Sequence, residues 1–250
     1  YYSLFREVHM KKLISILVLF LSHYPALANH GDIKAPSFSG FYINPNIAYV
    51  RTNSDIVWEA DNSGTNHQEY NADGSDYIGG VSLGYGKLYK DKYYLGIDLS
   101  ADINPAEVSE IDVSTNATND YNRHTKIREK IGATLKAGYT IGHSLLLYIK
   151  AGAALMNQQY AQEYRRKADE NDGVPVMVWI DEPPDHGAKD LWQAKVGIGF
   201  EEQLNPNTTL NIEVDYIDDS NSLFFYSTGT NNFTVNTKQV KYMLGLSYYF

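Results

Sequence analysis

The chain has 250 residues, no cysteine, 43% hydrophobic residues and a formal charge of -9 at pH 7. Without cysteine there is neither a disulfide framework nor a thiolate metal site, and the acidic balance argues against a nucleic-acid partner. After the first thirty residues no apolar run reaches the roughly eighteen residues of a transmembrane helix. A membrane-bound mature chain would therefore have to cross as a closed barrel, since an open sheet leaves backbone groups unpaired in lipid.

The beginning of the chain is typical of a secretory signal peptide. Met10 starts a short basic segment, the apolar segment at 13–22 is too short to span a bilayer, and small residues ending at Ala28 suit cleavage. We expect translation to start at Met10 and cleavage to follow Ala28. The predicted organisation is upstream residues and signal peptide at 1–28, a leader at 29–40 and the barrel at 41–250.

Eight later segments alternate with period two between apolar residues and small or polar ones, which predicts β-strands. In the last of them, Leu244, Leu246 and Tyr248 alternate with Gly245 and Ser247. A face of small and charged residues suits a narrow interior, and an unbroken apolar face suits lipid. In chain order the predicted strands are 41–51, 77–88, 93–103, 127–141, 145–155, 191–202, 209–217 and 240–250.

The predicted connections alternate between long and short. In an up-and-down barrel, every second connection lies on the same rim. Outer-membrane barrels have an even number of strands of about ten residues, long extracellular loops and short periplasmic turns. The sequence therefore predicts an all-β fold, an eight-stranded antiparallel up-and-down transmembrane β-barrel with four long extracellular loops and three short periplasmic turns. A soluble barrel or sandwich is the alternative. The predicted loops are 52–76, 104–125, 156–190 and 218–236, and the turns are 89–92, 142–143 and 204–208.

Several strand motifs resemble a known family. They include F-Y-I-N-P-N-I-A-Y at 41–49, K-V-G-I-G-F-E at 195–201, L-N-I-E-V-D-Y-I-D at 210–218 and the final G-L-S-Y-Y-F. Together they resemble the OmpA-like outer-membrane β-barrel family, which includes opacity-type surface proteins and small barrels labelled "porin family". The resemblance covers about residues 41–250. It implies the outer membrane of a Gram-negative bacterium, and an assembly signal at Tyr248 and Phe250 read by the barrel-assembly machinery. It implies no shared catalytic residues.

Charged residues on the small-residue face are the first candidate site. Unpaired charges inside a barrel are costly, so we expect a paired structural network. The alternative is a narrow porin-type channel, although eight strands leave room for little more than side chains. By strict alternation the predicted interior residues are Asp98, Asp102, Arg128, Lys130, Lys136, Lys150, Lys195, Glu201, Glu213, Asp215 and Lys241.

The leading functional hypothesis is a surface and structural protein whose loops contact the envelope or a host surface. The basic segment 165–167 is a candidate contact for anionic lipopolysaccharide or a host glycan. A third hypothesis, an integral-membrane lipid-modifying enzyme, depends on His124 near Ser114 and Asp120. Because the mature histidines fall in the leader, loops or turns, we expect no enzyme. We also expect no metal site and no cofactor.

Overall fold

A computed structural model describes residues 38–60, 66–113, 119–142, 144–167, 177–179, 185–218, 223–226 and 231–250. The predicted signal peptide and most of the leader lie outside these ranges. No helix within them is long and apolar enough to cross a membrane. The described strands are β1 (Gly40–Ala60), β2 (Asn66–Tyr89), β3 (Tyr93–Asp102), β4 (Ala106–Val113), β5 (Asn119–Ile141), β6 (Leu145–Lys167), β7 (Met177–Trp179), β8 (Asp185–Asn205), β9 (Thr208–Asp218), β10 (Leu223–Tyr226) and β11 (Asn231–Tyr249).

Eight of the described strands close into an antiparallel up-and-down barrel, as the sequence predicted. Hydrogen bonds join β1, β2, β3, β5, β6, β8, β9 and β11 in that order. β11 returns to β1 with a register that runs from Tyr42 opposite Tyr249 to Ala60 opposite Asn231. The remaining described strands lengthen the wall, since β4 pairs with β5, β7 with β6 and β10 with β11. The closed wall satisfies its backbone groups without water, as crossing a bilayer requires.

The turn between β2 and β3 shows how the short connections are made. Lys90 and Asp91 both have positive φ, at 53° and 56°. The backbone N–H of Lys92 donates to the carbonyl of Tyr89 at 3.1 Å. Two central residues with positive φ define a type I′ turn, whose twist matches that of the flanking strands. The predicted turn at 89–92 is therefore a tight hairpin, and it lies on the same rim as the start of β6 and the end of β8.

The predicted strand ends are wrong on the opposite rim, where the strands are longer than the alternation indicated. Residues 52–60 and 66–76 were expected in a loop, but they extend β1 and β2 and pair up to Ala60 opposite Asn66. β5 and β6 are likewise paired beyond their predicted ends, up to Asn119 opposite Arg166. Beyond the bilayer neither face of the wall contacts lipid. Backbone pairing therefore continues there without alternation of apolar and polar residues. The predicted loops are partly strand.

The outer face of the barrel is apolar and bordered by aromatic residues. Ile47, Leu135 and Ile149 are each more than 60% exposed, which suits lipid contact rather than water. β3 has 10 residues, enough to cross a layer of about 25 Å at the usual strand tilt. The aromatic band beside the turns contains Phe41, Tyr85, Tyr93, Tyr139 and Tyr248. The band on the opposite side, which we call the outer aromatic band, contains Tyr49, Tyr77, Trp192, Tyr216 and Tyr242.

Candidate functional site: the barrel interior

A layer of aromatic side chains fills the interior at the turn end of the barrel. The rings of Tyr42 and Tyr249 lie 5.2 Å apart, and that of Phe38 meets Tyr249 edge-on at 6.5 Å. Tyr94 is also fully buried, and it fits because Gly86 faces it. A Cβ on Gly86 would lie 2.2 Å from the Tyr94 hydroxyl. Phe38 belongs to the predicted leader, and its ring packs with those of the strands at this end of the barrel.

Four buried lysines link five carboxylates into one continuous chain of ion pairs, whose members come from six strands. In the first half of this ion-pair chain, Lys136 Nζ lies 3.3 Å from Asp98 and 3.4 Å from Glu213. Lys150 Nζ contacts the same Glu213 and also Asp215 at 2.8 Å. Each lysine therefore bridges two carboxylates, and each inner carboxylate bridges two lysines.

The second half of the chain repeats this arrangement. Lys195 Nζ lies 3.3 Å from Asp215 and 3.0 Å from Glu129. Lys241 Nζ lies 3.0 Å from Glu129 and 2.7 Å from Asp102. Removing one partner of a buried pair leaves an uncompensated charge, which costs several kcal/mol. The complete order is Asp98, Lys136, Glu213, Lys150, Asp215, Lys195, Glu129, Lys241, Asp102.

Hydroxyl groups connect this ion-pair chain to the aromatic layer. The Tyr148 hydroxyl donates to Glu213 at 2.6 Å, and the Tyr42 hydroxyl donates to Asp98 at 3.2 Å. Glu201 is buried beside the chain and accepts hydrogen bonds from Thr209 and from the Tyr249 hydroxyl, the latter at 2.9 Å. The interior polar groups thus form a network with the packed rings, as burial of charge demands.

On the side of the ion-pair chain away from the turns, the interior is first apolar and then polar again. One buried cluster contains Ala48, Val50, Ile78 and Ala106, and another contains Ile127, Ala154, Met156 and Ile217. Farther out, Gln239 donates to Thr52 at 3.1 Å. A cavity of about 10 Å³ beside Asp102, Glu129 and Lys241 has room for about one water molecule. The described side chains thus fill successive layers of the interior.

Nine of the eleven predicted interior residues face the interior, but Arg128 and Lys130 lie on the outer face. A β-bulge causes this difference. Glu129 is opposite Met156 and Ile131 is opposite Leu155, so Lys130 is an extra residue in β5. Such an insertion changes which residues face the interior on one side of it.

Glu129 is the interior residue that strict alternation missed. Its backbone N–H donates to Asp102 at 3.0 Å, and Ser100 donates to its carboxylate. Gly132 makes room for it, because a Cβ there would lie 2.3 Å from a Glu129 oxygen. Strict alternation had placed this carboxylate on the lipid side, where a charge is costly. That conflict was the signal in the sequence for a bulge.

On the outer face, Lys130 and Asn157 each donate to Asp190 at 2.7 Å. These hydrogen bonds, first from Lys130 and then from Asn157, lower the pKa of the exposed Asp190 carboxyl. At the other rim, Tyr248 and Phe250 of the predicted assembly signal point outward, with ring centroids 5.3 Å apart.

The remaining predicted site residues are only partly within the described structure. Ser114 lies outside the described residues, as do the side chains of Asp120 and His124 in β5. The basic segment 165–167 ends β6, but its side chains are also outside the described set. Among the residues that are described, no group of three or more His, Asp or Glu side chains could hold a metal ion.

The chain is similar in fold to several solved outer-membrane proteins. It is 18% identical to OprG from Pseudomonas aeruginosa with a TM-score of 0.50, covering 87% of this chain and 98% of OprG. For AlkL in lipid bilayers the identity is 16% and the TM-score 0.47, with coverage of 89% and 95%. For Neisserial surface protein A these values are 13%, 0.37, 85% and 98%.

A search of curated proteins found no match. The sequence of residues 14–250 matches the family described as outer membrane protein beta-barrel domain. This match spans most of the chain, and it agrees with the closed wall, the outward apolar face and the polar interior. The chain belongs to the outer membrane protein beta-barrel domain family.

Proposed function

We propose that this protein is a non-enzymatic surface and structural protein of the bacterial outer membrane, delivered by its signal peptide, which contacts envelope or host surfaces through its extracellular end. The paired strands that continue past the outer aromatic band carry this proposal. β1 and β2 remain paired for twelve positions from Tyr49 opposite Tyr77 to Ala60 opposite Asn66. At about 3.3 Å per residue this is a hairpin arm of roughly 35 Å. Loops on a rigid scaffold are the usual location of binding residues.

Shortening this hairpin should abolish binding without unfolding the barrel. The change replaces residues 54–72 with an Asn-Gly turn, which suits a two-residue hairpin and keeps Asn53 opposite Asp73. In a bacterium lacking the protein, we expect wild type to restore adhesion to cultured epithelial cells or cell-to-cell aggregation, and the shortened variant to restore neither. Both forms should shift on a detergent gel after boiling, which reports a folded barrel. Equal adhesion by both forms would refute a role for this hairpin.

The same refolded samples distinguish a surface protein from a narrow channel. The aromatic layer, the ion-pair chain and the apolar clusters occupy successive levels of the interior. Wild type should therefore give no steady current across a planar lipid bilayer, since open pores need about sixteen strands. A reproducible current would favour the porin-type alternative and make the lysines pore-lining residues.

We also propose that the barrel-assembly machinery recognises Tyr248 and Phe250. Their outward orientation at the end of β11 leaves both rings accessible on the lipid-facing side. Phe250→Ala should reduce the amount of protein delivered to the outer membrane in cells by several-fold. The matched control Leu204→Ala removes another exposed apolar side chain at the same rim. An equal reduction in both variants would mean that general hydrophobicity, rather than the terminal signal, matters.

A further inference from the structure

Three basic side chains occupy successive outward positions near the middle of β5. Lys126, Arg128 and Lys130 form this β5 basic patch, and the bulge at Lys130 brings all three to the outer face. Without the bulge, the alternation of the inner half of β5 would place Arg128 and Lys130 inside the barrel. The bulge therefore transfers positive charge from the interior to the outer surface, while it brings Glu129 inward.

The patch begins where the lipid-facing band ends. Exposed apolar side chains lie at this level, with Ile103 between β3 and β4, Ile131 on β5 itself and Trp192 on β8. Trp192 belongs to the outer aromatic band, and such residues mark the level of lipid headgroups. The patch therefore faces sideways at headgroup level, and a ligand there approaches within the membrane plane.

A depression of about 90 Å³ lies within the patch. Its lining consists of Pro105, Lys126, Arg128, Asn157 and Gln159, so its charged groups are all positive. Among the described residues no carboxylate forms an ion pair with Arg128. A guanidinium group suits bidentate binding of a phosphate, and the neighbouring lysine supplies a second positive charge.

The two acids beside the patch do not cancel it. Glu107 pairs with Lys126 at 3.5 Å and Asp190 pairs with Lys130 at 2.7 Å, both at exposed positions. Exposed pairs of this kind contribute about 0 to 1 kcal/mol. A doubly charged phosphate can therefore recruit these lysines at little cost, while Arg128 gives up only a weaker attraction to the exposed Asp190.

We propose that the β5 basic patch binds a phosphate group of the glycolipid in the outer leaflet, with Arg128 as the central ligand. This site goes beyond the proposed surface function and requires only that the barrel lies in the outer membrane. A protein partner is disfavoured because the patch faces the lipid headgroups rather than the extracellular tip of the barrel.

Binding of lipopolysaccharide to the refolded full chain in detergent micelles tests this inference. The variant Lys126→Gln/Arg128→Gln/Lys130→Gln should bind about tenfold more weakly than wild type, the loss expected for three exposed charge contacts. The control Lys87→Gln/Lys90→Asn/Lys92→Gln removes the same charge at the turn rim and should change affinity less than about twofold. Asn at position 90 tolerates the positive φ there.

Two further ligands identify the chemistry that is bound. Dephosphorylated lipopolysaccharide should bind wild type as weakly as intact lipopolysaccharide binds the patch variant. Inorganic phosphate should compete only weakly, because it lacks the acyl chains that hold the headgroup at the barrel wall. Equal affinity of patch and control variants would overturn the proposal, and so would inorganic phosphate binding as tightly as the lipid. Arg128→Gln alone, checked for folding by its gel shift, provides the single-residue test.

Discussion

Replacement of Lys195 by Met should lower the free energy of unfolding by about 3 to 5 kcal/mol. Lys195 is 2% exposed and bridges Glu129 and Asp215, which are also buried. Met keeps the length of the side chain but removes the ammonium group, so both carboxylates lose a partner. Urea titration of the barrel in lipid vesicles, followed by tryptophan fluorescence under reversible conditions, measures the effect.

Lys130→Met is the matched control for this change. It removes the same group from an exposed pair with Asp190, and the expected loss is below about 1 kcal/mol. In the double variant Lys195→Met/Glu129→Gln, part of the lost stability should return, because one negative charge is removed together with the positive charge and the balance of the buried chain is restored. Losses of equal size for Lys195→Met and Lys130→Met would contradict a structural role of the interior chain.

Replacement of Ile149 by Arg should destabilise the barrel by about 2 to 4 kcal/mol in a bilayer. Ile149 lies on the outward face between Ala137 and Ile198 and is 63% exposed. In water such a substitution would be nearly neutral, whereas in lipid the charge loses its hydration. The measurement is the same urea titration in vesicles.

Gln159→Arg is the control on the same strand and the same face. Gln159 lies beyond the outer aromatic band, where Arg should cost about 0 to 1 kcal/mol. An equal cost at both positions would mean that depth in the membrane has no effect. In that case the exposed apolar face would not be the lipid-facing surface.

Much of the interior could be predicted because period-two alternation is a local property. Lys136, Lys150 and Lys195 were assigned inward from their neighbours alone, and they do lie inside the barrel. The same rule failed at Arg128 and Lys130 because one extra residue shifts the alternation. Strict alternation assumes a regular strand and therefore cannot predict a bulge.

The strand ends and the closed turn end were harder to predict for a related reason. Residues 52–60 do not alternate between apolar and polar side chains, because this part of β1 lies outside the bilayer and is held by backbone pairing alone. Phe38 lies in a segment without periodicity, and its burial depends on the ring of Tyr249 from the opposite end of the chain. Neither feature has a local pattern that could reveal it.

The fold class, the face turned to lipid and most residues of the interior follow from alternation within each strand, so they could be predicted before the structure was known. The tertiary structure decided which charges are partners. The ion-pair chain joins side chains of β3, β5, β6, β8, β9 and β11. Their heights along the barrel axis depend on the stagger between strands and on the bulge at Lys130. The stagger is a property of the closed sheet, and no single strand encodes it.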